Sequence, residues 1–530
     1  MKKSIFLLLL ILPFVTFSQV TTIPTLPTTT GEITVIFNAT GTPLAGYTGD
    51  VYAHTGVTVD GTRWQNVIAE WATNIPKAKL TRDASNSNLY TLVISPNVFT
   101  FYGVDTSKKI TEISLVFRSF DTQKQTSPDI FIPIYEAGLN VTFTNPANNS
   151  IYNLNESFTI SAESSLNTDL ELFIDGSSQQ TALNSKIISK NHLFSTYGNH
   201  IIKAVAKSAT ETKETEISVY VKTPTLVEAI PANAKKGVNI NDDNSVTFLL
   251  EAPNKTSIFL IGDFSNWLID PQFQLKKDST NPDLFWATIT GLDVNLEYAY
   301  QYLVDYTIKI ADPYSEKILD PWTDQYIKTG NYPDLKAYPT NLTTGYVSTF
   351  IINEVNYNWT VNTFTRPNQD NLIIYELLLR DFTESDSYTE ALTKLDYLES
   401  LGVNAIELMP INEFEGADSW GYNPALYMAL DKAYGTKNAF KNFVDECHKR
   451  GIAVLADVVF NHSYGQSPLL QMYWDSVNKK PTANNPWYNQ QSNFANPDAQ
   501  WGYDFNHESS YTTSFFKDVL TYWMTEYKID

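Results

Sequence analysis

Apolar and polar residues follow two different periods along this chain, and the period changes after about residue 350. Before that point, short alternating runs such as ITVIFNAT and ITEISLVFRSF are separated by Gly, Asn, Asp and Pro, a pattern typical of strands joined by turns. After it, continuous apolar runs alternate with apolar stripes at helical spacing. The pattern predicts β-rich modules followed by strand, helix, strand, helix, strand, which is the start of a parallel (β/α) barrel.

The β-rich part divides at its turn-rich segments into three modules, and each is predicted to be a β-sandwich. The first covers residues 19–138 and the third covers 224–346. Between them, 139–223 repeats the strand-and-turn pattern without a cluster of ionisable residues, so we expect an immunoglobulin-like spacer. The barrel part covers 360–530.

One apolar run in the barrel part contains a carboxylate that needs an explanation. The run 452–460 is bounded by glycine and predicts a strand covered on both faces. Asp457 lies on the same face as Leu455, where an ionised side chain must have a partner or a function. Asn461 and His462 follow at the carboxyl end of the strand, where (β/α) enzymes place their chemistry. The alternative is a structural Asp457 that caps the next turn, with two ordinary loop residues after it.

Composition narrows the class of partner. The net charge of −21 argues against nucleic acid and against an anionic membrane, since both would be repelled. The 31 tyrosines and 11 tryptophans suit carbohydrate binding, because flat amphipathic rings can lie against sugar faces, although aromatic-rich β-domains share this feature. The single cysteine, Cys447, falls in a helical apolar stripe with Phe443 and Val444 and is predicted to be core, not nucleophile.

The first 18 residues have the composition of a secretory signal. Two lysines precede the run IFLLLLILPFVTF, and small and polar residues follow it. No cysteine lies near the expected cleavage point, so a lipid anchor on such a residue is not expected. The prediction is a secreted or periplasmic protein.

The motif DVVFNH at 457–462 resembles strand three of the α-amylase superfamily of glycoside hydrolases, and the resemblance runs from about residue 372 to the end. In the same region WGYNP matches another motif of that family. The resemblance implies that Tyr422 stacks beneath the sugar at the cleavage point and that His462 donates a hydrogen bond to that sugar. It also implies a supporting role for Asp457, which would hold an arginine of strand four.

The same resemblance implies a structural calcium ion for many family members. Asn461 matches the position whose side-chain oxygen binds the ion, and Asp504 in the following loop is a plausible second donor. Calcium is not universal in the family, so the alternative is that this protein binds no calcium ion.

The upstream modules carry further resemblances. SIFLIGDFSNW, with LFWATITGL after it, resembles the module that precedes the barrel in isoamylases and branching enzymes, and it implies glucan stacking by Trp267 and a core position for Trp286. The first module is similar to starch-binding modules of bacterial amylases. Trp64 and Trp71 are its candidate sugar-binding residues, and the alternative is that both are core.

In the family, strand four carries the nucleophilic aspartate and strand five the general-acid glutamate. Asp530, the last residue, matches the position before strand four, so we expect an incomplete (β/α)8 TIM barrel without nucleophile or acid. The predicted function is an exported retaining hydrolase of α-glucan, inactive as residues 1–530. A non-catalytic starch-binding protein with a vestigial barrel is one alternative, and an α-1,6-debranching or transglycosylating relative is another.

Overall fold

The structure, a computed structural model, describes residues 19–530, and the predicted signal peptide lies outside them. The chain forms two compact units that divide after Lys222. No helix within residues 19–530 is long and apolar enough to cross a membrane.

The first unit begins with two four-stranded antiparallel sheets, in the orders β1-β2-β6-β5 and β4-β3-β7-β8. Both sheets contribute alternate residues to one core, as the period-two pattern predicts. The elements of this module are β1 (Val20–Ile23), β2 (Ile33–Asn38), β3 (Val51–Val59), β4 (Thr62–Gln65), β5 (Thr81–Arg82), β6 (Leu89–Ile94), α1 (Val98–Tyr102), β7 (Ile110–Ser119) and β8 (Ile130–Pro133).

The second module of this unit has six strands joined in one hydrogen-bonded network. Its longest strand pairs along its whole length with the strand that follows it, with register shifts after Glu163, and it pairs with two other strands along separate parts of its length. The immunoglobulin-like spacer stays a prediction. The six strands are β9 (Val141–Asn145), β10 (Ser150–Tyr152), β11 (Phe158–Ile174), β12 (Ser177–His192), β13 (Gly198–Lys207) and β14 (Thr212–Val221).

The second unit, Thr223–Asp530, starts with another pair of sheets, in the orders β15-β16-β19-β18 and β17-β20-β23-β22, with β21 paired to β20. Its core is continuous with that of the helical part that follows. The strands are β15 (Gly237–Ile240), β16 (Val246–Glu251), β17 (Ile258–Gly262), β18 (Lys276–Lys277), β19 (Leu284–Ile289), β20 (Glu297–Val304), β21 (Ile308–Ile310), β22 (Ile318–Leu319) and β23 (Val347–Ile351).

The rest of the second unit contains a three-stranded parallel sheet in the order β24-β25-β26 with helices between its strands, as predicted for the start of a barrel. Small antiparallel pairs and a long helix follow the third strand. The elements are β24 (Ile374–Leu377), α2 (Leu379–Phe382), α3 (Tyr388–Leu392), α4 (Leu395–Ser400), β25 (Ala405–Leu408), α5 (Lys437–Lys449), β26 (Ala453–Ala456), β27 (His462–Ser463), α6 (Pro468–Gln471), β28 (Trp474–Asp475), β29 (Lys480–Pro481), β30 (Tyr503–Asp504) and α7 (Ser510–Glu526).

One feature of this sheet corrects a prediction. The strand predicted over 452–460 is limited to β26. The sheet is also partly open, since Ile374 of β24 is 47% exposed. Within residues 19–530 β24 pairs only with β25, so its outer edge has no strand partner. The core position of Cys447 on α5 is confirmed.

Candidate functional site

The candidate site lies at the carboxyl edge of the parallel sheet. Asp457 directly follows β26, and the loop 409–431 follows β25. Because the carboxyl ends of parallel strands meet at one edge, side chains from both segments can converge there.

Tyr422 and Asp457 are joined directly at this edge. The Tyr422 hydroxyl donates to Asp457 Oδ2 at 2.6 Å, and the ring is 37% exposed. Gly421 makes this approach possible, because its φ is +94° and a Cβ there would lie 2.6 Å from the Cβ of Pro410. The loop therefore folds tightly against the end of β25 and presents the next ring toward the edge.

Two glutamates that the sequence reading did not single out lie on the same face of the sheet. Glu376 of β24 pairs in register with Glu407 of β25, which in turn is opposite Leu455, two residues before Asp457. Burial, followed by the hydrogen bond to Asp457, raises the pKa of Tyr422 well above its ordinary value, and both glutamates add to the effect. Tyr422 therefore stays a protonated donor at all ordinary pH values. The sequence contained one hint of these glutamates, because Glu is the third residue of both IYEL and AIEL.

His462 is brought to the same place, but not as predicted. The imidazole is buried, its Nε2–H donates to the backbone oxygen of Tyr422 at 3.0 Å, and the Asn461 amide donates to Nδ1 at 3.3 Å. Both ring nitrogens are therefore used within the protein, which contradicts the predicted donation to a sugar hydroxyl. In this arrangement His462 is a positioning residue for Tyr422.

The loop that carries Tyr422 is also anchored by Arg380. Its guanidinium donates to the backbone oxygen of Ser419 at 2.7 Å, and within residues 19–530 no basic side chain forms an ion pair with Asp457. Trp420, next but one to Tyr422, is largely exposed beside the site. The motif WGYNP pointed only to Tyr422, although the exposed ring of Trp420 is also a candidate for sugar contact.

The two residues predicted to hold calcium have different partners. The carboxylate of Asp504 is buried and accepts from Asn489 Nδ2 at 2.7 Å and from the Asn493 N–H at 3.3 Å, whereas the Asn461 amide faces His462. No cluster of three or more His, Cys, Asp or Glu suited to a metal occurs within residues 19–530. Hard cations require several convergent oxygens, so the residues as folded do not fit a calcium site.

The third module contradicts the role predicted for Trp267. This side chain is only 7% exposed, and its indole N–H donates to Asp263 Oδ1 at 3.3 Å. A ring enclosed in this way has no face available for a sugar. Trp286 is also buried, which confirms its predicted core position.

The first module instead exposes its two candidate rings. Trp71 is 43% exposed and Trp64 is half-buried, so neither is core. His54 of β3 lies between them, stacked on Trp64 at 5.3 Å and edge-on to Trp71 at 5.0 Å between ring centroids. The Trp64 indole N–H donates to Asp129 at 3.0 Å. The three rings form one surface cluster on the sheet that contains β3 and β4.

Comparisons with known proteins match part of the second unit to a family. Residues 388–528 match the family model described as alpha amylase, catalytic domain. A malto-oligosyltrehalose trehalohydrolase of Saccharolobus solfataricus is 28% identical over 295 residues, which cover 54% of this chain and 43% of the relative. The isoamylase SU1 of Zea mays chloroplasts is 34% identical over 194 residues, 31% of this chain and 24% of the relative.

The chain thus spans less than half of the length of these curated relatives. Among solved structures, a pullulanase from Anoxybacillus sp. LM18-11 complexed with maltotetraose matches with a TM-score of 0.41 and 20% identity. That match covers 71% of this chain and 56% of the pullulanase chain.

Proposed function

We propose that this chain, whose residues 388–528 belong to an α-amylase catalytic domain, holds α-glucan at Tyr422 and Asp457 as part of a glycoside hydrolase. The observation that carries the proposal is the 2.6 Å hydrogen bond between these two side chains at the strand edge where barrel enzymes place their chemistry. The malto-oligosyl group in the name of one relative supports starch or glycogen as the substrate class.

We assign each of these residues a task. Cleavage of a glycosidic bond passes through an oxocarbenium-like state, and the electron-rich face of the Tyr422 ring would stabilise its positive charge. Asp457 and His462 hold that ring by its hydroxyl and by its backbone, so its orientation is set before a sugar arrives. We assign Asp457 a positioning role, because its carboxylate is committed to the tyrosine.

Retaining hydrolysis needs a nucleophile and an acid about 5 to 5.5 Å apart. We assign neither to a residue of this chain, and we propose that residues 1–530 bind α-glucan without cleaving it. The measurement is the release of reducing ends from amylopectin, and we expect none. If residues 1–530 released reducing ends, and replacement of one of their own carboxylates abolished that release, this chain would contain the nucleophile or the acid and the assignment would be wrong. The proposal leaves α-1,4 hydrolysis, α-1,6 debranching and transglycosylation open.

Binding can be tested by calorimetry with maltotriose on the full chain. We expect Tyr422→Ala to weaken binding about tenfold, or roughly 1.4 kcal/mol. Tyr422→Phe keeps the ring, so we expect it to lose less affinity. Tyr397→Ala is the matched control, because Tyr397 is an exposed ring on α4. Unchanged affinity of Tyr422→Ala would refute the site.

A non-catalytic starch-binding protein is the second candidate, and the exposed cluster of His54, Trp64 and Trp71 favours it. We propose that this cluster binds α-glucan independently of the barrel. If Tyr422→Ala leaves the retention of the chain on insoluble starch unchanged and Trp71→Ala abolishes it, binding belongs to the first unit.

We also propose export of the protein, on the basis of the signal-like sequence of its first 18 residues. Amino-terminal sequencing of the protein recovered outside the cytoplasm should show that this segment has been removed. An intact Met1 in such material would contradict cleavage.

A further inference from the structure

The segment 320–345, which joins β22 to β23, leaves its own module and contacts loops of the barrel part. Asp324 forms an ion pair with Lys432 at 3.1 Å, and the side-chain amide of Asn331 donates to the backbone oxygens of Ala433 at 2.8 Å and of Ser385 at 2.6 Å. Ser385 follows β24, and the other two barrel residues follow β25. The segment therefore lies along the carboxyl edge of the sheet, the edge that also carries Tyr422.

A groove of about 510 Å³ opens in this segment. Trp322, which is 48% exposed, forms one wall, and Tyr338 and Lys336 contribute to the lining. Asn341 and Thr344 add an amide and a hydroxyl. One exposed aromatic face surrounded by hydrogen-bonding groups, which include the charged side chains of Asp320, Asp324 and Lys336, can recognise a sugar ring.

The groove is shaped before any ligand binds. The buried carboxylate of Asp320 accepts from the Trp322 N–H at 2.7 Å and from the Thr323 hydroxyl at 2.6 Å, which fixes the turn that presents the indole. On the other side, the Tyr338 hydroxyl donates to the Gly345 oxygen at 2.8 Å. A preformed groove loses little conformational freedom on binding.

The groove and a second cavity share a lining residue. Asp324 lines the groove and also lines a smaller cavity of about 70 Å³, whose other walls include Arg380 and Gly416. Arg380 is the residue that anchors the loop of Tyr422 through Ser419. The loop of Tyr422 thus lines a cavity that shares Asp324 with the groove.

We propose that this groove is an outer binding site for the same α-glucan chain, in which a glucose ring several units away from Tyr422 stacks on Trp322. The inference rests on the proposed function, since it assumes that the inner sugar lies at Tyr422. It also defines the preferred substrate: chains long enough to reach both rings bind more tightly than short ones.

The experiment is calorimetry on the full chain with maltotriose and with maltoheptaose, in a Trp71→Ala background that removes the exposed ring of the first unit. We expect Trp322→Ala to weaken maltoheptaose binding about tenfold and to leave maltotriose binding within about twofold of the parent. Trp322→Phe should restore most of the affinity, and Tyr397→Ala is the control for removal of an exposed ring.

Each outcome separates the two proposals. Weaker binding of both sugars to Tyr422→Ala, with unchanged maltoheptaose binding to Trp322→Ala, would keep the proposed function and overturn the outer site. If Trp322→Ala lost affinity for maltotriose and maltoheptaose equally, the outer site would also be overturned. If the parent chain binds neither sugar, both proposals fail.

Discussion

Trp64 in the first module and Trp267 in the third share their local structure but differ in exposure. Both have a left-handed backbone, with φ of +58° and +63°, which is rare for bulky residues. In both, the indole N–H donates to an aspartate, Asp129 or Asp263. Trp64 nevertheless forms part of an open cluster, whereas Trp267 is enclosed.

A distant segment contacts the aspartate partner of Trp267. Lys336 of the segment 320–345 forms an ion pair with Asp263 at 3.1 Å, the same aspartate that accepts from Trp267. In that segment Trp322 is exposed. The same local arrangement thus occurs with a buried ring and with a more exposed ring, so burial, not the motif, decides which tryptophan can bind sugar.

The largest expected effect is on stability. Trp267→Ala should lower the free energy of unfolding by about 3 to 5 kcal/mol, because it leaves a cavity in a packed interior. Trp71→Ala should change it by less than about 0.5 kcal/mol, because its ring lies at the surface. Guanidinium unfolding followed by tryptophan fluorescence measures both. If Trp267→Ala left the free energy of unfolding unchanged and weakened glucan binding, Trp267 would be a binding residue and not a core residue.

The enclosed interior of the third module should also produce a pH dependence. Burial raises the pKa of Asp312 from 3.8 to about 6, against the opposing hydrogen bonds from Tyr314, Tyr300 and Tyr302. Between these pH values the folded protein keeps a proton that the unfolded chain has lost, so the free energy of unfolding falls as pH rises through the window. The pKa difference corresponds to roughly 3 kcal/mol.

The measurement is urea unfolding of the full chain between pH 3.5 and 7. Asp312→Asn should lose this component of the pH dependence, because the amide does not titrate. If the variant and the parent keep the same slope between about pH 4 and 6, Asp312 is ionised throughout and the interior is more polar than its burial indicates.

A smaller effect is expected for the open cluster of the first module. Trp64→Ala and Trp71→Ala should each weaken retention on insoluble starch about tenfold, or roughly 1.4 kcal/mol. Tyr197→Ala, which removes an exposed ring elsewhere in the same unit, is the control. If both tryptophan variants were retained on starch as strongly as the parent, the first module would not take part in starch binding.

The smallest expected effect is that of a chelator. Because Asp504 is committed to Asn489 and Asn493, EDTA should leave the thermal midpoint of the chain unchanged. A midpoint that falls with EDTA and is restored by Ca²⁺, but not in Asp504→Asn, would show that the loop rearranges around a calcium ion.

Apolar stripes at helical spacing were a good guide to one helix and an incomplete guide to another. The stripe that contains Phe443, Val444 and Cys447 lies on α5, whose N-cap Thr436 accepts from the Ala439 N–H. Before β25 the helical stretch is interrupted between α3 and α4, where no Gly or Pro marks the change. The strands are shorter than their apolar runs, because a strand ends where its neighbour ends and the run itself does not contain that information.

Of the candidate site, the motifs selected Asp457, Tyr422 and His462, and the structure brings these residues together. The direction of the His462 hydrogen bonds and the anchor from Arg380 to Ser419 were not predictable, since both depend on how the loop after β25 folds back. The proximity of Glu376 and Glu407 was not predictable either, since it depends on the register between two strands.

By itself the sequence determined the period of each segment, the position of polar residues after the strand of Asp457, and the match of residues 388–528 to a family model. These features depend on neighbours within a few residues along the chain. Only the tertiary structure decided that Trp267 is enclosed, that Trp71 and Trp322 are displayed, and that the Tyr422 hydroxyl reaches a carboxylate 35 residues away. Burial and side-chain partners arise from contacts between distant segments, and local periodicity carries no information about them.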